Sequence, residues 1–324
     1  MGLLSETSKA LEGTAVVNDK NSKLDLIVAG REKDLGGFSV RRILPYLSHR
    51  MVGPFIFFDH MGPATTKPGK GMTVRPHPHI NLATVTYLFS GAIQHKDSLG
   101  SDTMIEPGAI NWMTAGKGIV HSERTPPHLV NEEVHMNGIQ LWVALPTEFE
   151  EIDPSFSHHP ADSLPSFNVG DVKMKILLGT AFGQKSPVPV HSDMFYIEVH
   201  LKKGQSFTLP SEGREIAVYN VDGKISVDGS EIAAYSMAIA KENVDIEIVG
   251  LEDTRVMLLG GKALGKRYIY WNFVSSSEAR LEEAKADWKS GPRKESQRFK
   301  LIPNDDKEFI PLPEEKGNPK GTPL

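Results

Sequence analysis

Glycine and proline recur along the whole chain, 29 and 22 residues, and cut its apolar material into short β-branched and aromatic runs. Short runs bounded in this way are strands, and a chain made of them is an all-β sandwich or barrel. The best strand candidates in the first half are 81–89, 105–113 and 138–144. In the second half they are 194–201, 215–220, 224–227 and 253–259. Each half also holds a strand, a glycine turn and a second strand. Ser90-Gly91 follows the run 84–89, and Asp222-Gly223 follows the run 216–221. Glycine adopts positive φ without steric cost, so both turns are expected to close hairpins. The halves therefore read as a divergent repeat, each closing its own edges into a small barrel.

A length of 324 residues fits two domains at about 150 residues each. Hydrophobic residues at 39% supply enough material for two cores, with 24% charged residues as in an ordinary soluble protein. Net charge is −5, and no lysine or arginine run is long enough to neutralise a phosphate backbone, so direct nucleic-acid binding is not expected. The absence of cysteine excludes disulfides, thiolate metal sites and a cysteine nucleophile. Residues 1–23 lack the apolar core of a signal peptide and read as a flexible arm. Gly2 is followed by Glu6 where myristoylation wants serine or threonine. No apolar run is long enough to span a membrane, so a cytoplasmic location is expected.

Pro-rich polar stretches at 146–165 and 183–192 place a connector at 151–192. The expected organisation is then a first barrel over 24–150, a second over 193–292 ending in a helix, and a polar tail over 293–324. Ser275 and Glu278 form a candidate capping box for that helix. Leu281, Ala284 and Trp288 share one helical face, and Gly291-Pro292 stops the helix. The tail is polar and Pro-rich and is expected to lie extended, with little share in any core.

The chemistry concentrates in residues 71–123. His77 and His79 stand two apart between Pro76 and Pro78, which favour extended backbone, so both imidazoles face one side. His121 and Glu123 repeat the spacing forty-odd residues later. Two same-face pairs of imidazole and carboxylate donors suit a divalent first-row metal. His95, His128, His135, His158, His159, His191 and His200 have no partner at ligand spacing and are not expected to bind metal. His60, beside Asp59, either lines the pocket mouth or caps a turn.

Gly71, His77, His79 and Gly91, followed by the stretch from Gly108 to His121, resemble the two motifs of the cupin superfamily. More closely, His77-Pro78-His79, Thr84-Val85-Thr86-Tyr87, Trp112-Met113-Thr114-Ala115-Gly116 and Gly118-Ile119-Val120-His121-Ser122-Glu123 resemble the pirin family. The resemblance covers roughly residues 33–262. The segments 267–288 and 309–313 resemble the end of a bacterial pirin-like subgroup. The resemblance implies a bicupin with a C-terminal helix, whose first barrel holds one Fe(II) through His77, His79, His121 and Glu123. It also implies a second barrel without metal. Aligning Gly223 with Gly91 sets Leu209 and Ser211 opposite His77 and His79, and neither is a ligand. Many pirins carry glutamate at the place of Ala83, a departure that bears on polarity around the open site and on substrate range.

Some pirins oxidise quercetin with O₂, so the resemblance implies a dioxygenase acting on a flavonol or a similar small aromatic substrate. Glu123 would then serve both as ligand and as catalytic base for the flavonol hydroxyl. Other pirins are iron-dependent, redox-responsive binding proteins that act on transcription or enzymes through protein partners. Residue chemistry alone leaves the metal open, because the affinity order favours copper, nickel and zinc over iron.

Overall fold

A computed structural model describes residues 15–16, 21–34, 38–47, 49–313 and 322–323. The glycine-bounded runs are strands, assembled as two cupin modules. In the first, a seven-stranded antiparallel sheet runs in the order Ser155–His159, Ile110–Thr114, Leu82–Ser90, Val134–Ala144, Phe55–Thr66, Ser39–Leu44, Arg31–Asp34. Against it packs a four-stranded sheet ordered Thr73–His79, Ile119–Arg124, Ile93–Asp97, Asp102–Ile105. In the second module the large sheet runs Ala15–Val16, Leu24–Ala29, Ser236–Ala240, Glu215–Asn220, Thr254–Gly261, Met194–Leu201, Val172–Ala181, Ser166–Val169, with Gln184–Lys185 also paired to Val172–Ala181. Its four-stranded companion is ordered Ser206–Leu209, Ile246–Gly250, Lys224–Val227, Ser230–Ala233. The small sheets thus share one chain-order pattern, and the repeat is a repeat of topology. Each barrel is a pair of packed sheets and not one continuous hydrogen-bonded ladder.

The two large sheets stack on each other. Along Leu82–Ser90, Leu82 and Leu88 point into the first barrel, whereas Ala83, Val85 and Tyr87 point at the second module. They meet Leu178, Tyr196, Tyr219, Met257 and Leu259 in one shared core. Each fully buried apolar side chain contributes about 1.5–3 kcal/mol, so pulling the modules apart would be costly. Ala83 lies in this interface and therefore does not set polarity at the first barrel's open site, contrary to the expectation drawn from its departure from the family pattern.

The glycine turns are not hairpins. Leu82–Ser90 pairs with Ile110–Thr114 and Val134–Ala144, while Ile93–Asp97 pairs with Ile119–Arg124 and Asp102–Ile105. Gly91, at φ +84°, turns the chain from the large sheet into the small one, and Gly223, at φ +63°, does the same in the second module. A sheet-to-sheet corner needs the same left-handed residue as a tight hairpin, so the sequence pattern is common to both.

Two segments sit elsewhere than expected. Leu24–Ala29, taken as the start of the first barrel, pairs with Ser236–Ala240 on the second module's large sheet. A register shift between Leu24 and Leu26 sends Leu24 into the second barrel and Leu26 and Val28 into the shared core. Alternation defines such a strand but not the sheet it joins. The segment 151–192 is not a plain connector. Ser155–His159 closes the first large sheet, and Ser166–Val169 with Val172–Ala181 opens the second. The expected flexible arm over 1–23 lies almost wholly outside the described residues.

The helix Glu278–Trp288 buries Leu281, Ala284 and Trp288 as expected, and Gly291 ends it at φ +70°. The capping box does not form, because the N-cap is Ser277 and not Ser275, and Ser277 makes no side-chain cap bond. Ser275 and Ser276 instead donate to the Glu150 carboxylate, at 3.3 and 2.8 Å from their hydroxyls. The tail, expected to contribute little core, is docked as far as residue 313. Phe299 and Ile302 are buried with Ile80, Val120, Phe273 and Trp288. No helix or strand forms over 297–313, and these side chains are buried only because the segment lies against the first barrel and the helix. No helix among the described residues is long and apolar enough to cross a membrane.

Candidate metal centre

The strand Thr73–His79 lies at the edge of the small sheet, where Pro76 and Pro78 lose no ladder bond that a central strand would need. His121 pairs directly with His77, and Ile119 with His79. The register then slips, so that Glu123 pairs with Val74 and Ser122 stands opposite both Arg75 and Pro76. This β-bulge re-aims the side chains that follow it. The ring centroids of His77 and His121 are 4.3 Å apart, those of His77 and His79 5.1 Å, and those of His79 and His121 5.0 Å. One ring nitrogen from each lies within 4.8 Å of the other two.

The second nitrogen of each ring is engaged behind the cluster. His77 Nδ1 donates to the Arg75 carbonyl at 2.9 Å and His79 Nδ1 to the Asn272 carbonyl at 3.1 Å. These partners select the tautomer that leaves Nε2 as an open lone pair. His121 Nδ1 lies 3.5 Å from His95 Nδ1, and His95 Nε2 lies 3.1 Å from Asp97 Oδ2. A proton on His95 Nε2, held by Asp97, leaves His95 Nδ1 as acceptor and His121 Nε2 unprotonated. His121 Nε2 is buried and meets no hydrogen-bond partner among the described residues. Such an orphaned acceptor costs about 1–3 kcal/mol unless something else satisfies it. A cation among three converging lone pairs would do so, and the donor set fits a divalent metal.

Burial enforces the same protonation state. It depresses His77 to about 4 and holds His79 and His121 well below the usual imidazole range. Burial pushes Glu123 the other way, upward, against the proximity of His95 and a hydrogen bond from Thr86. The Thr86 hydroxyl is 2.8 Å from Gln140 Oε1 but 3.4 Å from Glu123 Oε1, so Glu123 receives only a long contact. Glu123 has no ion-pair partner among the described residues, and a nearby cation would favour its ionised form.

The cluster lies in a cavity of about 580 Å³ that Glu123 also lines. That volume is in the range of small-molecule sites. One wall is aromatic: Phe57 stacks on Trp142 with centroids 4.1 Å apart, and Trp142 meets the edge of His79 at 5.1 Å. Arg42 lies over Phe57 and grips Asp59 with two hydrogen bonds of 2.9 and 2.8 Å. Trp271 and Ile310 line the cavity from the C-terminal part of the chain.

The structure therefore brings together His77, His79 and His121. Glu123 shares their cavity but stands outside the three-donor group. Asp59 lines the cavity, while its neighbour His60 points into the module interface, bonded to Tyr219 Oη at 2.7 Å and Asn137 Oδ1 at 2.6 Å. His95, set aside as lacking a partner at ligand spacing, pairs with Asp97 two residues on, which the sequence reading did not name. Asn272 went unnamed too: its backbone carbonyl is 193 positions from His79 and carries no sequence signal.

Fold and cluster together define a bicupin with a histidine triad in its first module. The chain belongs to the pirin family: residues 37–143 match the pirin family and residues 196–294 the pirin C-terminal cupin domain. A pirin-like protein of Caulobacter vibrioides is 52% identical over 295 residues, spanning 90% of this chain and 100% of its own. A crystal structure of quercetin 2,3-dioxygenase from Acinetobacter baumannii matches with a TM-score of 0.82 and 32% identity, over 91% of this chain and 97% of that one. The bacterial pirin YhhW of Escherichia coli, solved in complex with nickel(II), shares the fold at a TM-score of 0.58 and 20% identity, over 73% of this chain and 98% of its own.

Proposed function

We propose that this chain is a dioxygenase of the quercetin 2,3-dioxygenase type, oxidising a flavonol or similar aromatic substrate with O₂ at one divalent metal, Fe(II), held by His77, His79, His121 and Glu123. The observation that carries the reading is the buried, unpartnered Nε2 of His121 among three converging imidazoles, inside an aromatic-walled cavity. A metal bound there supplies Lewis acidity and a common meeting point for two reactants. The protein's own residues do the rest. Phe57, Trp142 and Trp271 offer flat apolar surface to an aromatic ring. Glu123, short of strong hydrogen bonds, accepts the proton of an acidic substrate hydroxyl. The interior of the second module is instead packed with Ile197, Val199, Ile225, Ile246, Ile248 and Leu258.

The test is O₂ uptake together with loss of flavonol absorbance by verified iron-loaded protein. Turnover above a free-iron control supports the reading, and its absence in fully loaded protein sinks it. Elemental analysis should give one metal per chain, lost in His121→Ala and kept in His200→Ala, whose ring is half exposed and faces Glu198 instead.

A further inference from the structure

The outer face of the strand that presents His121 and Glu123 is held by a carboxylate from the far end of the chain. Side chains alternate along Ile119–Arg124, so Ser122 and Arg124 face away from the cavity. Asp305 takes both. Ser122 Oγ donates to Asp305 Oδ2 at 2.6 Å, Arg124 Nε to the same oxygen at 3.1 Å, and an Arg124 terminal nitrogen to Oδ1 at 2.9 Å. These are the two residues flanking Glu123, and Ser122 stands opposite the bulge that sets where Glu123 points.

The same segment reaches the other ligand strand. Arg124 also donates to Glu308 at 3.0 Å, and Glu308 lies 4.0 Å from Arg75. The Ile310 N–H donates to the Pro76 carbonyl at 2.8 Å, which ties the segment to the bulged residues themselves. Trp288 Nε1 then holds the Ile310 carbonyl at 3.0 Å. Attachment of the tail does not require these bonds, because Phe299 and Ile302 already anchor it in an apolar cluster. The polar contacts are spent where the backbone bends beside Glu123. Ser122 is buried and the Asp305 side chain is 13% exposed, so the bond between them is largely shielded from water, while Arg124 is more open.

We propose that Asp305 is a positioning residue that fixes the backbone between Ser122 and Arg124 so that Glu123 points at the histidine cluster. The proposal rests on reading His77, His79, His121 and Glu123 as a metal site. It makes the C-terminal segment a working part of the first barrel.

The experiment uses metal-free full-length protein titrated with Co(II), followed by visible absorption, which reports ligand number without turnover. Asp305→Ala should weaken Co(II) binding about 10–100-fold, the usual effect of removing an outer support. Its spectrum should move toward that of Glu123→Gln. Ser122→Ala, a smaller change that spares the fold if Asp305→Ala does not, should shift both readouts the same way. Arg298→Ala loosens the tail elsewhere, since Arg298 bonds Asp287 and the Lys117 carbonyl, and should leave affinity and spectrum parental. Parental affinity and spectrum in Asp305→Ala or Ser122→Ala would overturn the proposal, as would an equal shift in Arg298→Ala. A parent that binds no Co(II) would overturn the metal-site reading itself, and the positioning role with it.

Discussion

The Nδ1 atoms of His95 and His121 face each other at 3.5 Å, with Asp97 behind His95 at 3.1 Å. His95 therefore fixes which nitrogen of His121 is open, although the contact is at the long end of a hydrogen bond. His95 also stacks on Phe156 at 4.4 Å. His95→Phe keeps a flat ring there and removes the acceptor. Metal affinity is expected to fall about tenfold, the lower end for an outer-sphere loss, and stability by about 1–3 kcal/mol, because the buried Asp97 Oδ2 loses its His95 partner. Calorimetric titration with Ni(II), beside a melting curve, checks both halves.

Glu123→Gln separates binding from chemistry. The amide keeps the shape and a weak oxygen donor but cannot accept a proton. Activity on a flavonol should fall by about 10²–10⁴-fold, the usual worth of a general base, while metal content falls much less. Equal losses in the two measurements would reduce Glu123 to a ligand alone.

Truncation of residues 293–324 should disturb the first barrel. Phe299 is fully buried, edge-on to Trp288 at 5.4 Å and stacked on Phe273 at 5.8 Å. Phe299→Ala alone is expected to cost about 3–5 kcal/mol, a large share of a typical stability of about 5–15 kcal/mol. Urea unfolding of the point variant measures it. The truncated chain should aggregate or lose metal, and parental behaviour on both counts would refute the docked tail.

Acid should weaken the module interface through His60. Burial between Tyr219 and Asn137 lowers its pKa from 6.5 to about 4. Between those values the unfolded chain binds a proton that the native protein does not, so stability rises with pH across the window. The contribution is complete above about pH 6.5 and is lost as pH falls toward 4. His77, depressed to a similar value, adds in the same direction when no metal is bound. His60→Gln removes one titrating group, so its melting temperature should depend less steeply on pH over this range than the parent's. An unchanged slope would show that His60 is not part of the acid response.

Much of this protein is local and therefore written in the chain. Alternation puts His77 with His79 on one face, and His121 with Glu123 on another. Glycine at 91 and 223 marks where strands end, and the spacing of Leu281, Ala284 and Trp288 makes a helix with one apolar side. Each depends on a neighbour only a few residues away, because backbone geometry repeats every two or 3.6 residues.

What tertiary structure alone decided is where those local pieces meet. Gly91 serves a corner and not a hairpin because the partners of Ile93–Asp97 are Ile119–Arg124 and Asp102–Ile105. Leu24–Ala29 joins the second module's large sheet, and Ala83 faces that module and not the site. Asn272 meets His79 across 193 positions of chain, and Asp305 meets Ser122 across 183. Period and propensity say which way a side chain points; only packing, which adds up many weak contacts between distant segments, says what it points at.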